Sequence, residues 1–175
     1  MGKAGIAADL VSFEEAYTDE PPDQSLWSES RIKAYEASKA KPPTSVVAIL
    51  SIPDIGLKVP VYKNVSDLSL NRGAGLIEGM ASPDDAGNVG IAGHRDGYFR
   101  VLKDVKTGDR LILQTKKGSR CYKVSQTLLV DPDNVKVLAP TEENTVTLVT
   151  CYPFYFVGPA PRRFIVKAQL EKNKF

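Results

Sequence analysis

From Ser45 onward, aliphatic and β-branched residues gather in short runs, and each run is closed within a few positions by proline, glycine, asparagine or aspartate. Such runs read as strands separated by turns. "SVVAILSIPDIGLKVPVY" predicts two of them, at residues 46–52 and 57–62, joined by a Pro-Asp-Ile-Gly turn. A short apolar segment at Leu76 and Ile77 lies between the loops "NRGAGLIEG" and "SPDDAGN". "GNVGIAGH" predicts a strand whose glycines let another backbone come close. "GYFRVLKDV" reads as a turn or short helix, and "DRLILQTKKGSRCYKVSQTLLV" as a hairpin turning at Lys117-Gly118. "DPDNVKVLAP" gives a short helical turn before a strand at residues 145–151, and Phe164, Ile165 and Val166 begin the last strand. About eight short strands with turns between them and little helix predict a mostly all-β chain, an eight-stranded β-barrel with short helices.

The pattern before Ser45 is different. "YTDEPPDQS" is acidic and turn-rich, a linker. In "SLWSESRIKAYEASKAK" the apolar positions Leu26, Trp27, Ile32, Tyr35 and Ala37 follow a loose helical spacing, with Ser25 or Asp23 as cap and Pro42-Pro43 as stop. The division predicted is a linker and docked helix over residues 1–41 and a barrel over residues 42–175.

Composition narrows the function. With 175 residues, 42% of them hydrophobic, the chain can bury one sizeable core. A net charge of +2 without a block of like charges argues against a nucleic-acid partner. No stretch is long and apolar enough to span a bilayer, and "MGKAGIAADL" is not a signal peptide, so any membrane attachment would come through an anchor absent from this chain. Two cysteines, Cys121 and Cys151, and one histidine, His94, are too few and too scattered for a zinc module.

The chemistry concentrates in three places. Cys151 ends a strand in "TLVTCYPFYFVGPAPRRFIV", where a proline- and glycine-broken loop must follow. Arg162 and Arg163 open the next strand, and His94 stands at the end of another, in "GIAGHRDGYF". Each residue alone has a plain structural explanation: a buried thiol, a half-buried ring, a solvated pair of guanidinium groups. Together they are what a cysteine nucleophile requires: a thiol, an imidazole to move the proton, and a guanidinium for developing negative charge. Asp96 is the nearest carboxylate that could orient His94. Cys121, in the alternating segment "SRCYKV", is expected to stay a free, structural thiol. The rivals are a non-catalytic β-barrel peptide-binding module, with Cys151 inert or bridged to Cys121, and a metal-binding barrel.

These same segments resemble the sortases, the cysteine transpeptidases of the bacterial cell surface. "TLVTC" is similar to the family's cysteine strand, "GNVGIAGHRDGYFRVLKDVKTGD" to its histidine segment and "RRFIV" to its arginine strand. "CYPFYFVGPAPRRF" and the helical extension look most like class D. Some pilin-assembling sortases carry a lid with an acidic residue and an aromatic; the resemblance therefore offers Asp23 and Trp27 of "DQSLW" as a lid, a less favoured alternative to the docked helix. The resemblance runs from about Val46 to Leu170 and implies a sortase-type barrel with His94, Cys151 and Arg163 as catalytic residues, all three converging at one mouth. Arg163 is preferred to Arg162 because the family's arginine directly precedes its hydrophobic run, and alternation lets only one of the two face the site. The resemblance further implies a substrate, an LPXTG-like sorting signal cleaved after Thr, and an amine acceptor such as a cell-wall peptide stem. A hydrolytic cysteine protease of the same fold would differ only in its acceptor. The groove walls would be residues 130–145 and the loop "YPFYFVGPAP", with Phe154, Tyr155 and Phe156 either its floor or plain core. The location implied is extracytoplasmic, at the cell membrane or surface. No cofactor is expected; calcium, which some sortases bind, would have to draw on the scattered Glu78, Asp84, Asp85, Asp131, Asp133, Glu142 and Glu143, a set that reads as solvated surface.

Overall fold

The structure, a computed structural model, describes residues 29–39, 46–94, 97–152 and 161–171. Eight strands close into a barrel in the order β1-β2-β3-β4-β7-β8-β6-β5. The strands are β1 (Val46–Ile52), β2 (Leu57–Tyr62), β3 (Ala74–Leu76), β4 (Asn88–Ala92), β5 (Arg110–Thr115), β6 (Gly118–Val130), β7 (Thr145–Tyr152) and β8 (Arg162–Leu170). The barrel expected from the strand and turn pattern is thus the barrel observed, and β1 and β2 have the limits their hydrophobic runs predict.

Between β1 and β2, Pro53–Ile55 forms a 3-10 turn that Gly56 ends at φ 71°, a left-handed conformation suited to glycine. The β5–β6 hairpin turns one residue earlier than the sequence suggested. Thr115 pairs with Gly118, so the loop is Lys116-Lys117, and Gly118, at φ 139°, begins β6 instead of completing the turn. A bulge between Val124 and Gln126 then shifts β6 against β8.

Two pairings are parallel, β2 with β3 and β4 with β7. Parallel neighbours need a crossover. For β2–β3 it holds a short helix, α2 (Asp67–Arg72), in a stretch to which the hydrophobic pattern assigned no element. Ser66 caps it, its Oγ accepting from the Ser69 backbone N–H at 3.2 Å. The extension contributes helix α1 (Glu29–Lys39), with Tyr35 buried at its centre. Tyr35 hydrogen-bonds Tyr98, and burial, then the Tyr35 hydroxyl, push the Tyr98 phenol well above the ordinary tyrosine range. Asp23 and Trp27, the residues of the lid alternative, lie outside the described residues.

Alternation along each strand sorts the side chains. Val89 and Ile91 of β4, Val146 and Leu148 of β7, and Val166 and Ala168 of β8 enter the barrel. There they meet Val59, Val61, Leu111, Leu113 and Tyr122. A 3-10 helix, Tyr98–Asp104, inserts Phe99 and Leu102 into the same core, both fully buried. The alternate residues of β4, β7 and β8, among them Val149, Cys151, Arg163 and Ile165, face outward, and these three adjacent strands form the sheet on which the candidate site is built.

Candidate active site

The site is a matter of register. β4 runs parallel to β7, with Ala92 opposite Val149, and the Gly93 N–H extends the ladder by donating to the Val149 carbonyl at 3.1 Å. His94 follows Ala92 by two residues and Cys151 follows Val149 by two, so each comes two residues after the last pair of these neighbouring strands. On the other side of β7, Cys151 pairs directly with Arg163 of β8, and Arg163 in turn with Val130 of β6. Residues directly opposite in an antiparallel pair share a face. Cys151 and Arg163 are therefore on one side of the sheet, the outer side, and both are half-buried. Arg162 pairs with Tyr152, belongs to the opposite face and is exposed. The Arg163 guanidinium reaches the Arg162 carbonyl, Nη1 to O, at 3.1 Å.

The chain around His94 is tightly held. The Gly97 N–H donates to the His94 carbonyl at 3.2 Å, closing a turn from which the Tyr98–Asp104 helix starts. Gly93 leaves no room for a side chain, because a Cβ there would lie 2.6 Å from Cδ2 of Phe99. The close approach that the glycine-spaced strand suggested is thus made by the ring of Phe99 against the backbone just before His94. Asp96, the candidate orienter, is outside the described residues, as are Phe154, Tyr155 and Phe156.

One pleat along from the Cys151–Arg163–Val130 row, the same register aligns Ala92, Val149, Ile165 and Leu128 across β4, β7, β8 and β6. This is an apolar row, with Ile165 1% exposed although it belongs to the outer face. Two residues further the row is Gly90, Thr147, Lys167 and Gln126. Here the segment between β6 and β7, with its 3-10 turn Lys136–Leu138, lies over the sheet. The Lys167 ammonium donates to the Val137 carbonyl at 2.6 Å, and the Asn88 amide to the Ala139 carbonyl at 3.0 Å. Neither the apolar row nor this polar one was found from the sequence. Outward-facing Val149 and Ile165 were legible by alternation, but their alignment depends on strand order.

The two thiols are far apart. Tyr122, next to Cys121, pairs with Leu170, whereas Cys151 pairs with Arg163, seven residues away along β8, or ~23 Å at strand rise. A disulfide spans less than ~7 Å between Cα atoms, and neither cysteine is in a disulfide. Cys121 Sγ lies 3.0 Å from Glu171 Oε1. Among the described residues no three His, Cys, Asp or Glu side chains come together as a metal set. Of the acidic residues considered for calcium, Asp84 instead accepts from the Thr115 hydroxyl at 2.6 Å.

Comparison with known proteins gives this arrangement a family. Residues 50–171 match the sortase domain. The chain is 32% identical over 148 residues to a sortase D of Bacillus subtilis (strain 168), covering 83% of this chain and 75% of that protein. In structure it is similar to the Clostridium perfringens sortase D5 transpeptidase, with a TM-score of 0.67 at 22% identity over 94% of this chain and 99% of the other. A lid mutant of sortase A from Corynebacterium diphtheriae gives a TM-score of 0.70 at 26% identity over 98% and 96%. The class D likeness read from the sequence is borne out by the Bacillus subtilis relative. Among the described residues no helix is long and apolar enough to cross a membrane. The chain belongs to the sortase family, the cysteine transpeptidases associated with the bacterial cell surface.

Proposed function

We propose that this chain cleaves an LPXTG-like sorting signal after its threonine and transfers the acyl fragment to an amine at the outer cell surface. The observation that carries the reading is the direct pairing of Cys151 with Arg163 beside an outward apolar row, with His94 just past the end of the neighbouring strand β4. A thiol, an imidazole and a guanidinium brought to the ends of adjacent strands would supply nucleophile, acid and oxyanion donor.

In this scheme the Cys151 thiolate attacks the threonine carbonyl carbon, forming an Sγ–C bond. The carbonyl oxygen takes up negative charge, and the Arg163 guanidinium donates hydrogen bonds to it; always protonated, it cannot act as base. The C–N bond then breaks. His94, as imidazolium, gives its proton to the departing amine nitrogen. The thioester is resolved when an acceptor amine attacks the same carbon, His94 takes up the amine proton, and the thiolate leaves. Water in place of the amine would make the outcome hydrolysis, and the acceptor alone decides between the two. The apolar row Val149–Ile165–Leu128 suits the apolar residues of an extended, proline-containing peptide, and residues 131–144 form one wall. The catalytic unit is residues 42–175, with residues 1–41 as an attached extension.

The test is incubation with a panel of LPXTG-like peptides, with and without amine acceptors, followed by intact-mass analysis. A thioester adduct on Cys151 and an amine-dependent product are expected, and both should vanish in Cys151→Ala and His94→Ala. Cleavage that survives in Cys151→Ala, or no adduct with any peptide, would overturn the assignment.

A further inference from the structure

Below the apolar row, three outward side chains from three adjacent strands join into one hydrogen-bonded chain. Thr147 of β7 is fully buried, and its hydroxyl donates to Asn88 Oδ1 of β4 at 2.7 Å. The same hydroxyl oxygen accepts from the Lys167 ammonium of β8 at 3.2 Å. Each end of the chain then reaches the segment that crosses the sheet between β6 and β7. Lys167 donates to the Val137 carbonyl at 2.6 Å, and the Asn88 amide donates to the Ala139 carbonyl at 3.0 Å. The two carbonyls bracket the end of the 3-10 turn Lys136–Leu138.

The choice of residues is informative. Carbonyls at the end of a short helical turn need donors, and a single serine or an ordered water would serve. Here the donor to Val137 is a half-buried ammonium, and burial pushes Lys167 below the usual lysine range. A cation at such a place carries a desolvation cost that fixed acceptors must offset, so its geometry is held firmly when they do. The anchored turn is otherwise weakly attached: Val135 beside it is 70% exposed, and no residue of the turn itself is buried. Thr147 and Cys151 lie four residues apart on β7, ~13 Å at strand rise, which is also the length of a four-residue extended peptide. The network is too far from Cys151 to take part in the reaction but close enough to fix the wall against which a recognised tetrapeptide would lie.

We propose that Asn88, Thr147 and Lys167 are positioning residues that hold residues 135–139 against the sheet and thereby set the peptide groove. The groove part of this claim rests on the proposed transpeptidase function; the holding part does not. The test is Lys167→Met, which keeps chain length and removes the ammonium, with Thr147→Val as a second, volume-conserving variant. Amide hydrogen exchange in the free protein should speed ~10-fold or more in residues 131–144, about the loss expected for one hydrogen bond from a charged donor, while β7 and β8 amides hold their rates. With sorting peptide, KM should rise ~10-fold and kcat change less than about threefold, because the reacting groups are untouched.

Unchanged exchange in both variants overturns the holding role. Faster exchange with an unchanged KM overturns the groove role, and a fall in kcat at constant KM shows that the network acts on the chemistry instead. If the wild-type chain cleaves no sorting peptide, the proposed function falls and takes the groove role with it, while exchange still decides whether the segment is held.

Discussion

Arg162 and Arg163 are chemically identical neighbours, so the register alone predicts opposite consequences for their loss. Arg163 is the direct cross-strand partner of Cys151, and opposite residues of an antiparallel pair hold their Cβ atoms about 4.5–5.5 Å apart. From there a guanidinium reaches a carbonyl oxygen bound at the Cys151 sulfur. Arg163→Ala removes that donor, and the loss of one oxyanion donor costs about 10²–10³ in rate, or about 2.7–4 kcal/mol of transition-state stabilisation. Arg163→Lys should recover part of this, since it keeps the charge but not the planar fork. Arg162 pairs with Tyr152 on the other face and is exposed, so Arg162→Ala should stay within about 0.5 kcal/mol, roughly twofold in rate. The assay is single-turnover acylation by a matched sorting peptide at equal folded concentration, with thermal melts to confirm folding. If Arg162→Ala is the crippling change and Arg163→Ala the mild one, the Cys151–Arg163 pairing is off by one residue and the site moves with it.

Other consequences follow from the surroundings of the row. Gly93→Ala would force a Cβ to within 2.6–3.0 Å of the fully buried Phe99 ring, so it should destabilise by about 1–3 kcal/mol and depress activity by displacing the adjoining His94; a variant with wild-type melting and wild-type kcat/KM would refute this. Tyr98 keeps its proton in the folded state above pH 10, where the unfolded chain, with its ordinary value of 10.0, has begun to lose it. The folded state then binds more protons, so this contribution to stability is complete below pH 10 and declines above it, by at most about 1.4 kcal/mol per pH unit. Denaturant melts of wild type and Tyr98→Phe should therefore converge between pH 10 and 11, and a constant difference across that range would refute the assignment. Cys121→Ser should leave peptide cleavage intact and a methanethiosulfonate reagent should label Cys151 in that variant; loss of cleavage on removing Cys121 would place a second thiol in the reaction.

What the sequence disclosed depended on whether the information was local. The limits of β1 and β2 are set by hydrophobic runs ending at a proline-glycine turn and at the polar stretch after Tyr62, and both follow from neighbours in the chain. The proposed site residues His94 and Cys151 could be singled out because each stands where a strand formed by local propensity has to stop. Alternation reduced the two arginines to one but could not say which; deciding needs the partner of Cys151 on β8. Helix α2 escaped notice because "DLSLNR" has only two apolar positions, too few for a helical stripe, although the Ser66 cap before it was a signal that could have been used.

The outer face of β4, β7 and β8 was hidden for a different reason. Asn88 and Thr147 are 59 positions apart, and Thr147 and Lys167 are 20. No periodicity relates them; they meet because β7 is inserted between β4 and β8. A parallel β4–β7 pairing and an antiparallel β7–β8 pairing give the three strands one common pleat, so each step of two residues along any strand moves all three to the same new row. The rows passed in this way are polar at Thr147 and Lys167, apolar at Val149 and Ile165, and at Cys151 and Arg163 hold the proposed catalytic pair. A one-residue slip of β8 would turn Ile165, Lys167 and Arg163 to the other face together. The buried Ile165, the Lys167 hydrogen bonds and the Cys151–Arg163 pair therefore depend on a single register, and the packing that stabilises the first two also fixes the third.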